Sequence, residues 1–103
     1  TRLELEHIAH ISPHWDQYGP GAVGIGWDLS FMGLARYLAD TGFDMPPEAA
    51  AEWYATDEYR DLVRATGDDW GRAAIAAGED HQHALAAAEA TRKFYMGEPA
   101  PEN

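Results

Sequence analysis

The alternation of apolar and polar residues changes period after the first few residues of the chain. Residues 2–8, RLELEHI, put Leu3, Leu5 and His7 on one side and Arg2, Glu4, Glu6 and Ile8 on the other. Strict alternation over this length predicts a half-buried β-strand. No second convincing strand follows. Its backbone N–H and C=O groups would need a ladder partner from further chain or from another subunit, unless no partner exists. Ser12-Pro13 then opens a helical turn over His14–Tyr18, which Gly19-Pro20-Gly21 breaks. A long helix is predicted over Ala22–Ala39, with two apolar stripes. Val23, Trp27, Phe31, Leu34 and Leu38 form one, and Ile25, Leu29 and Met32 the other. A helix apolar on both sides is expected to be enclosed by other structure. Gly24, Gly26 and Gly33 each cost about 1 kcal/mol relative to alanine. Close approach of another backbone is the expected compensation, and Thr41-Gly42 is the expected stop.

From there the pattern stays helical. Phe43–Pro47 reads as a linker, and Pro46-Pro47 suits the entry to a short helix over Glu48–Tyr54. Thr56 is placed as an N-cap, with Asp57 and Glu58 in the first turn. The helix that follows carries Tyr59, Leu62, Val63, Trp70, Ala73, Ala74 and Ala77 at helical spacing, weakened at Gly67 and Gly71. Gly78-Glu79-Asp80 makes a turn and a new cap. The last helix spans His81–Tyr95, with Leu85, Ala88 and Phe94 or Tyr95 expected to face inward. The fold class is mainly α with one N-terminal strand. The segments are residues 1–41, a helical extension over 42–97, and a disordered tail over 98–103.

Composition narrows the function classes. The chain has 103 residues, of which 46% are hydrophobic, and this suits a single globular domain. Its formal net charge of −11 disfavours nucleic acid and anionic membrane surfaces as partners. There is no cysteine, which excludes disulfides and thiolate sites and suits a reducing compartment. Gly21–Leu38 approaches membrane-spanning length, but Trp27, Asp28, Ser30 and Arg36 interrupt it, so no membrane insertion is expected. A cytoplasmic location is the expectation. The chain starts at Thr1 and runs straight into the alternating pattern, as a segment of a longer protein would.

Several residue sets invite chemistry. Gly19-Pro20-Gly21-Ala22-Val23-Gly24 matches the dinucleotide-binding GxGxxG, and Asp40 lies at a suitable distance for a ribose contact. That site needs a strand leading directly into the turn and a parallel strand after the helix, and neither is present in the pattern. The glycines therefore read as a helix entry and packing positions. His7, His10 and His14 near the start, and Glu79, Asp80, His81 and His83 near the last turn, are metal-ligand types without a metal-ligand spacing. No metal and no cofactor is predicted. Asp28, inside the apolar helix, is the most unusual charge. It is expected to act as a general acid or base or to anchor a ligand, or else to face a solvent gap or pair with Arg36 or Arg2. No serine has a base and an orienting group around it, so triad chemistry is not indicated. The aromatics suit a core or an apolar pocket wall.

TRLELEHIAH, the W-x-x-Y-GPGAVGIGWDLSFMGLARYL stretch, DDWGRAAIAAGED and TRKFYMGE together resemble the C-terminal part of a START-like (SRPBCC) protein. The branch is that of homologues of the heat-shock-90 ATPase activator and of polyketide cyclase-like proteins. The resemblance implies an α+β helix-grip fold, in which a curved antiparallel sheet wraps a long helix around an apolar cavity. Arg2–Ile8 would be the last strand and Ala22–Ala39 the gripped helix. The implied partner is a hydrophobic small molecule. His7, Trp27, Phe31 and Leu34 would line its cavity, with Asp28 as the polar handle. The family has no universal catalytic motif, so no catalytic residue is carried over. Two other readings stand beside this one: a helical interaction module that forms a homodimer, and a fragment of a cyclase- or hydrolase-type enzyme.

Overall fold

In a computed structural model that describes residues 1–40, 42 and 44–98, the chain forms five helices. They are α1 (Pro13–Tyr18), α2 (Gly21–Ala39), α3 (Pro47–Tyr54), α4 (Asp57–Ala76) and α5 (His81–Tyr95). Each boundary has a local cause. Ser12 caps α1 by accepting from the Trp15 backbone N–H, with Pro13 in the first turn. Thr56 caps α4 by accepting from Tyr59 N–H, and Asp80 caps α5 by accepting from His83 N–H at 3.0 Å. Gly78, at φ 104°, makes the turn between α4 and α5 in a conformation that side chains rarely adopt. The expected end of α2 at Thr41 and the tail over residues 99–103 lie outside the described residues.

The N-terminal strand is corrected. Residues 1–12 form no strand or helix, and no strand occurs among the described residues. Without a sheet there is no helix-grip fold, and the architecture is all-helical. The physical reason lies in what alternation measures. It marks two sides of an extended segment, but only a ladder neighbour can satisfy the backbone between them. With none available, residues 1–11 run exposed over the helices.

α4 and α5 pack as an antiparallel hairpin with an interface of small residues. Gly67, Gly71 and Ala74 of α4 are buried, as are Ala84, Ala87 and Thr91 of α5. A methyl group on Gly71 would lie 3.2 Å from Cβ of Ala88, so the two backbones approach closely. Leu85, expected to point inward, is 51% exposed, and Phe94 is exposed as well. α2 crosses this hairpin, α1 rests on α5, and α3 rests on α4. The core centres on Ile25, Tyr59 and Val63, surrounded by Leu29, Trp53, Trp70, Tyr95 and Met96.

The expected enclosure of α2 is not found. Only Gly21, Gly24 and Ile25 of this helix are buried. The stripe of Ile25, Leu29 and Met32 turns inward. The stripe of Val23, Trp27, Phe31, Leu34 and Leu38 lies at the surface, the first four 37–40% exposed and Leu38 69%.

Candidate functional site

Asp28 is where α2 meets α4. Its Oδ2 accepts hydrogen bonds from the hydroxyl of Thr66 and from Trp70 Nε1–H, the latter at 2.8 Å. Neither Arg36 nor Arg2 is its partner here. Arg36 lies 4.0 Å from Glu58, and Arg2 pairs with Glu4. Asp28 is therefore a hydrogen-bonded tie between helices. Leaving a buried hydroxyl without an acceptor costs about 1–3 kcal/mol, and Asp28 removes that cost for Thr66, while its bond to the half-buried Trp70 lies at the surface. The same indole packs over Gly24. A Cβ on Gly24 would fall 2.2 Å from Cε2 of Trp70, so the ring occupies the space that any side chain there would need. The compensation for this glycine is an aromatic ring rather than another backbone.

Tyr95 forms a second tie. Its hydroxyl donates to the Ala22 carbonyl at 2.6 Å and would stand 3.2 Å from a Cβ on Gly26. Tyr59 donates to the Tyr95 carbonyl at 2.8 Å, and Thr91 donates to the Tyr18 carbonyl at 2.7 Å. Burial raises the pKa of both phenols above the ordinary tyrosine value. The neighbouring Tyr54 and Tyr95 add to the rise at Tyr59, and a backbone hydrogen bond from Gly26 opposes it at Tyr95.

Of the five residues expected to line a cavity, two meet. Trp27 Nε1–H donates to His7 Nδ1 at 2.9 Å, with the two rings edge to face. This bond holds the extended N-terminal segment against α2, and it requires the neutral imidazole with its proton on Nε2. His7, Trp27 and Tyr95 border a shallow, open depression of about 360 Å³. Phe31 and Leu34 are not drawn into it. Each is 37% exposed, on the outer face of α2 with Leu38. Asp28 turns instead to α4. The narrow cleft between the start of α2 and the α4–α5 hairpin measures about 20 Å³, room for about one water molecule.

A more recessed crevice opens on the opposite side of α2, facing α3. It holds about 150 Å³ between Leu29, Met32, Gly33 and Arg36 of α2, Met45, and Trp53 and Tyr54 of α3. Trp53 Nε1 is buried and has no hydrogen-bond partner among the described residues. The sequence reading missed this crevice. One available signal was Gly33, a mid-helix glycine with nothing within 4 Å of where its Cβ would be, and so no packing reason to be glycine.

Among the described residues, no group of three or more histidine, cysteine, aspartate or glutamate side chains is placed to hold a metal ion. No helix among them is long and apolar enough to cross a membrane. No family model, curated protein or solved structure matches the chain.

Proposed function

We propose that this chain is a helical interaction module and that it pairs with a second copy of itself through the outer face of α2. The observation that carries this reading is the exposed stripe of Val23, Trp27, Phe31, Leu34 and Leu38. From Trp27 to Leu38 the residues follow the 4-3-4 spacing of a two-helix seam. Such a stripe is a convex ridge. Ridges pack against helices, whereas an apolar small molecule needs a concave site.

Charge favours a second copy as the occupant. The chain carries −11 overall, so copies repel one another over most of their surface. α2 has one acid and one base, and Asp28 is turned toward α4, so the helix itself adds little like-charge contact between two copies.

Sedimentation equilibrium from about 1 to 100 µM tests the reading, across the range where a standard-sized interface associates. The expected result is a dimer that Phe31→Asp together with Leu34→Asp converts to a monomer. A wild-type monomer across the whole range would end the homodimer reading and leave the face to an amphipathic helix of another protein.

A further inference from the structure

Among the described residues, one hydrogen bond and no ion pair joins residues 1–11 to the helices, and that bond runs from Trp27 Nε1–H to His7 Nδ1. Apolar packing adds little, since Leu3, Leu5, Ile8 and Ile11 all lie exposed. The segment therefore stays on α2 or leaves it with the state of one imidazole. The neutral ring carries its proton on Nε2 and presents the Nδ1 lone pair to the indole. A second proton has Nδ1 as its site, and two N–H donors then face each other. The cation gains nothing from the indole in exchange. It sits at the N–H edge, which is electropositive, and not over the negative face. Water, by contrast, hydrates the charged ring more strongly than the neutral one.

The surroundings hold no charge that would keep a cation in place. Of the residues that border the depression beside His7, Tyr95 of α5 is the one titratable group. Its hydroxyl donates to the Ala22 carbonyl, and its raised pKa keeps it neutral across the histidine range. Ser30 of α2 brings a second hydroxyl, which donates to the Gly26 carbonyl. Both hydroxyl oxygens are neutral, and His7 is bonded to neither. Asp28, the acid of α2, is turned to α4. On the segment itself, Glu4 pairs with Arg2, and Glu6 adjoins His7 and moves with it. We infer that residues 1–11 form an acid-released arm: neutral His7 docks them on α2, and protonation of His7 frees them and uncovers Trp27. Trp27 is the residue one turn before Phe31 in the outer stripe, so release lengthens the exposed ridge by that turn. The bond lies within one copy, so the arm works whether or not the chain pairs.

The test is NMR of the full chain from about pH 8 to about pH 5, the range over which histidines titrate. The chain has four tryptophans, so four indole N–H resonances are available, and Trp27→Phe identifies the relevant one. Nuclear Overhauser contacts between the His7 and Trp27 rings are expected at about pH 8 and should be lost by about pH 5. The Trp27 indole proton should move along the same one-proton curve as the His7 ring proton on Cε1. His7→Ala should leave the indole resonance at its acid position at every pH. His10→Gln, on the same segment, should keep the wild-type transition. So should Phe31→Asp combined with Leu34→Asp, which removes any dimer. Ring contacts that persist at the acid end overturn the inference, because the charged ring has then found another acceptor, such as the Ser30 or Tyr95 oxygen. Ring contacts absent at the alkaline end overturn it too. So does an indole transition that survives in His7→Ala, or one that vanishes when the dimer is removed.

Discussion

α2 has an inner and an outer face, and they are built from opposite kinds of residue. The inner face carries Gly21, Gly24, Ile25, Asp28 and Leu29, and every one of these touches another helix. The outer face carries Val23, Trp27, Phe31, Leu34 and Leu38, which is more apolar bulk, yet it stays exposed. Hydrophobicity alone did not decide which face was buried. Room for close approach and a means of satisfying polar atoms did. The bulk of the inner interface comes from the partner helices, through Trp70 and Tyr95, which fill the space that the glycines leave.

The largest expected effect tests that account directly. Gly24→Val places methyl groups where the Trp70 ring lies, and should cost about 3 kcal/mol by urea denaturation. If its cost is negligible, the close fit of the inner face is not what holds α2. Asp28→Ala comes next, at about 1–3 kcal/mol, because Thr66 and Trp70 lose their acceptor. Asp28→Asn, which keeps an acceptor oxygen, should recover part of that loss. Alkaline pH should act on the same inner face. The native state raises the pKa of Tyr59 and Tyr95, so it binds their protons more tightly than the unfolded chain does. Stability from these groups is complete below the unfolded tyrosine value of about 10 and falls as pH rises through the raised native values. Urea midpoints measured from about pH 8 to 12 should show the decline, and Tyr95→Phe should lessen it. The smallest effect belongs to the outer face. Phe31→Ser and Leu34→Ser should each cost only about 1 kcal/mol at low protein concentration, where any dimer is dissociated, because each side chain is only partly covered within the monomer. A loss as large as that of Gly24→Val would mean that the two faces do not differ in kind.

Much of the helical layout was legible because helix ends carry local chemistry. Ser12-Pro13, Thr56 and Asp80 each bond a backbone N–H within their own first turn, so no knowledge of the fold is needed to read them. The strand was misread because RLELEHI has the right period but lacks the neighbour that would give the period meaning. The burial of α2 was misjudged because both of its stripes are apolar. The choice between them depends on Trp70, Thr66 and Tyr95, which lie 38 to 73 residues away from their α2 partners in sequence. Of the site residues, His7 and Trp27 were named only as cavity walls implied by a resemblance, and the hydrogen bond between them was not foreseen. Nor was the role of Asp28, because its partners are neutral donors rather than arginines. The Trp53 crevice needed the packing of α3 against α4, which no local pattern encodes.

The hydroxyl of Thr91 bonds the Tyr18 carbonyl across 73 residues, and Tyr95 reaches Ala22 across the same separation. These ties impose an order in time. At a synthesis rate of about 5–20 residues per second, roughly 4–15 s pass between the making of Tyr18 and that of Thr91. Through that interval the most apolar helix of the chain exists without the partners that later fasten its start. A nascent chain of this protein thus presents both faces of α2 to the ribosome's surroundings before it can present only one.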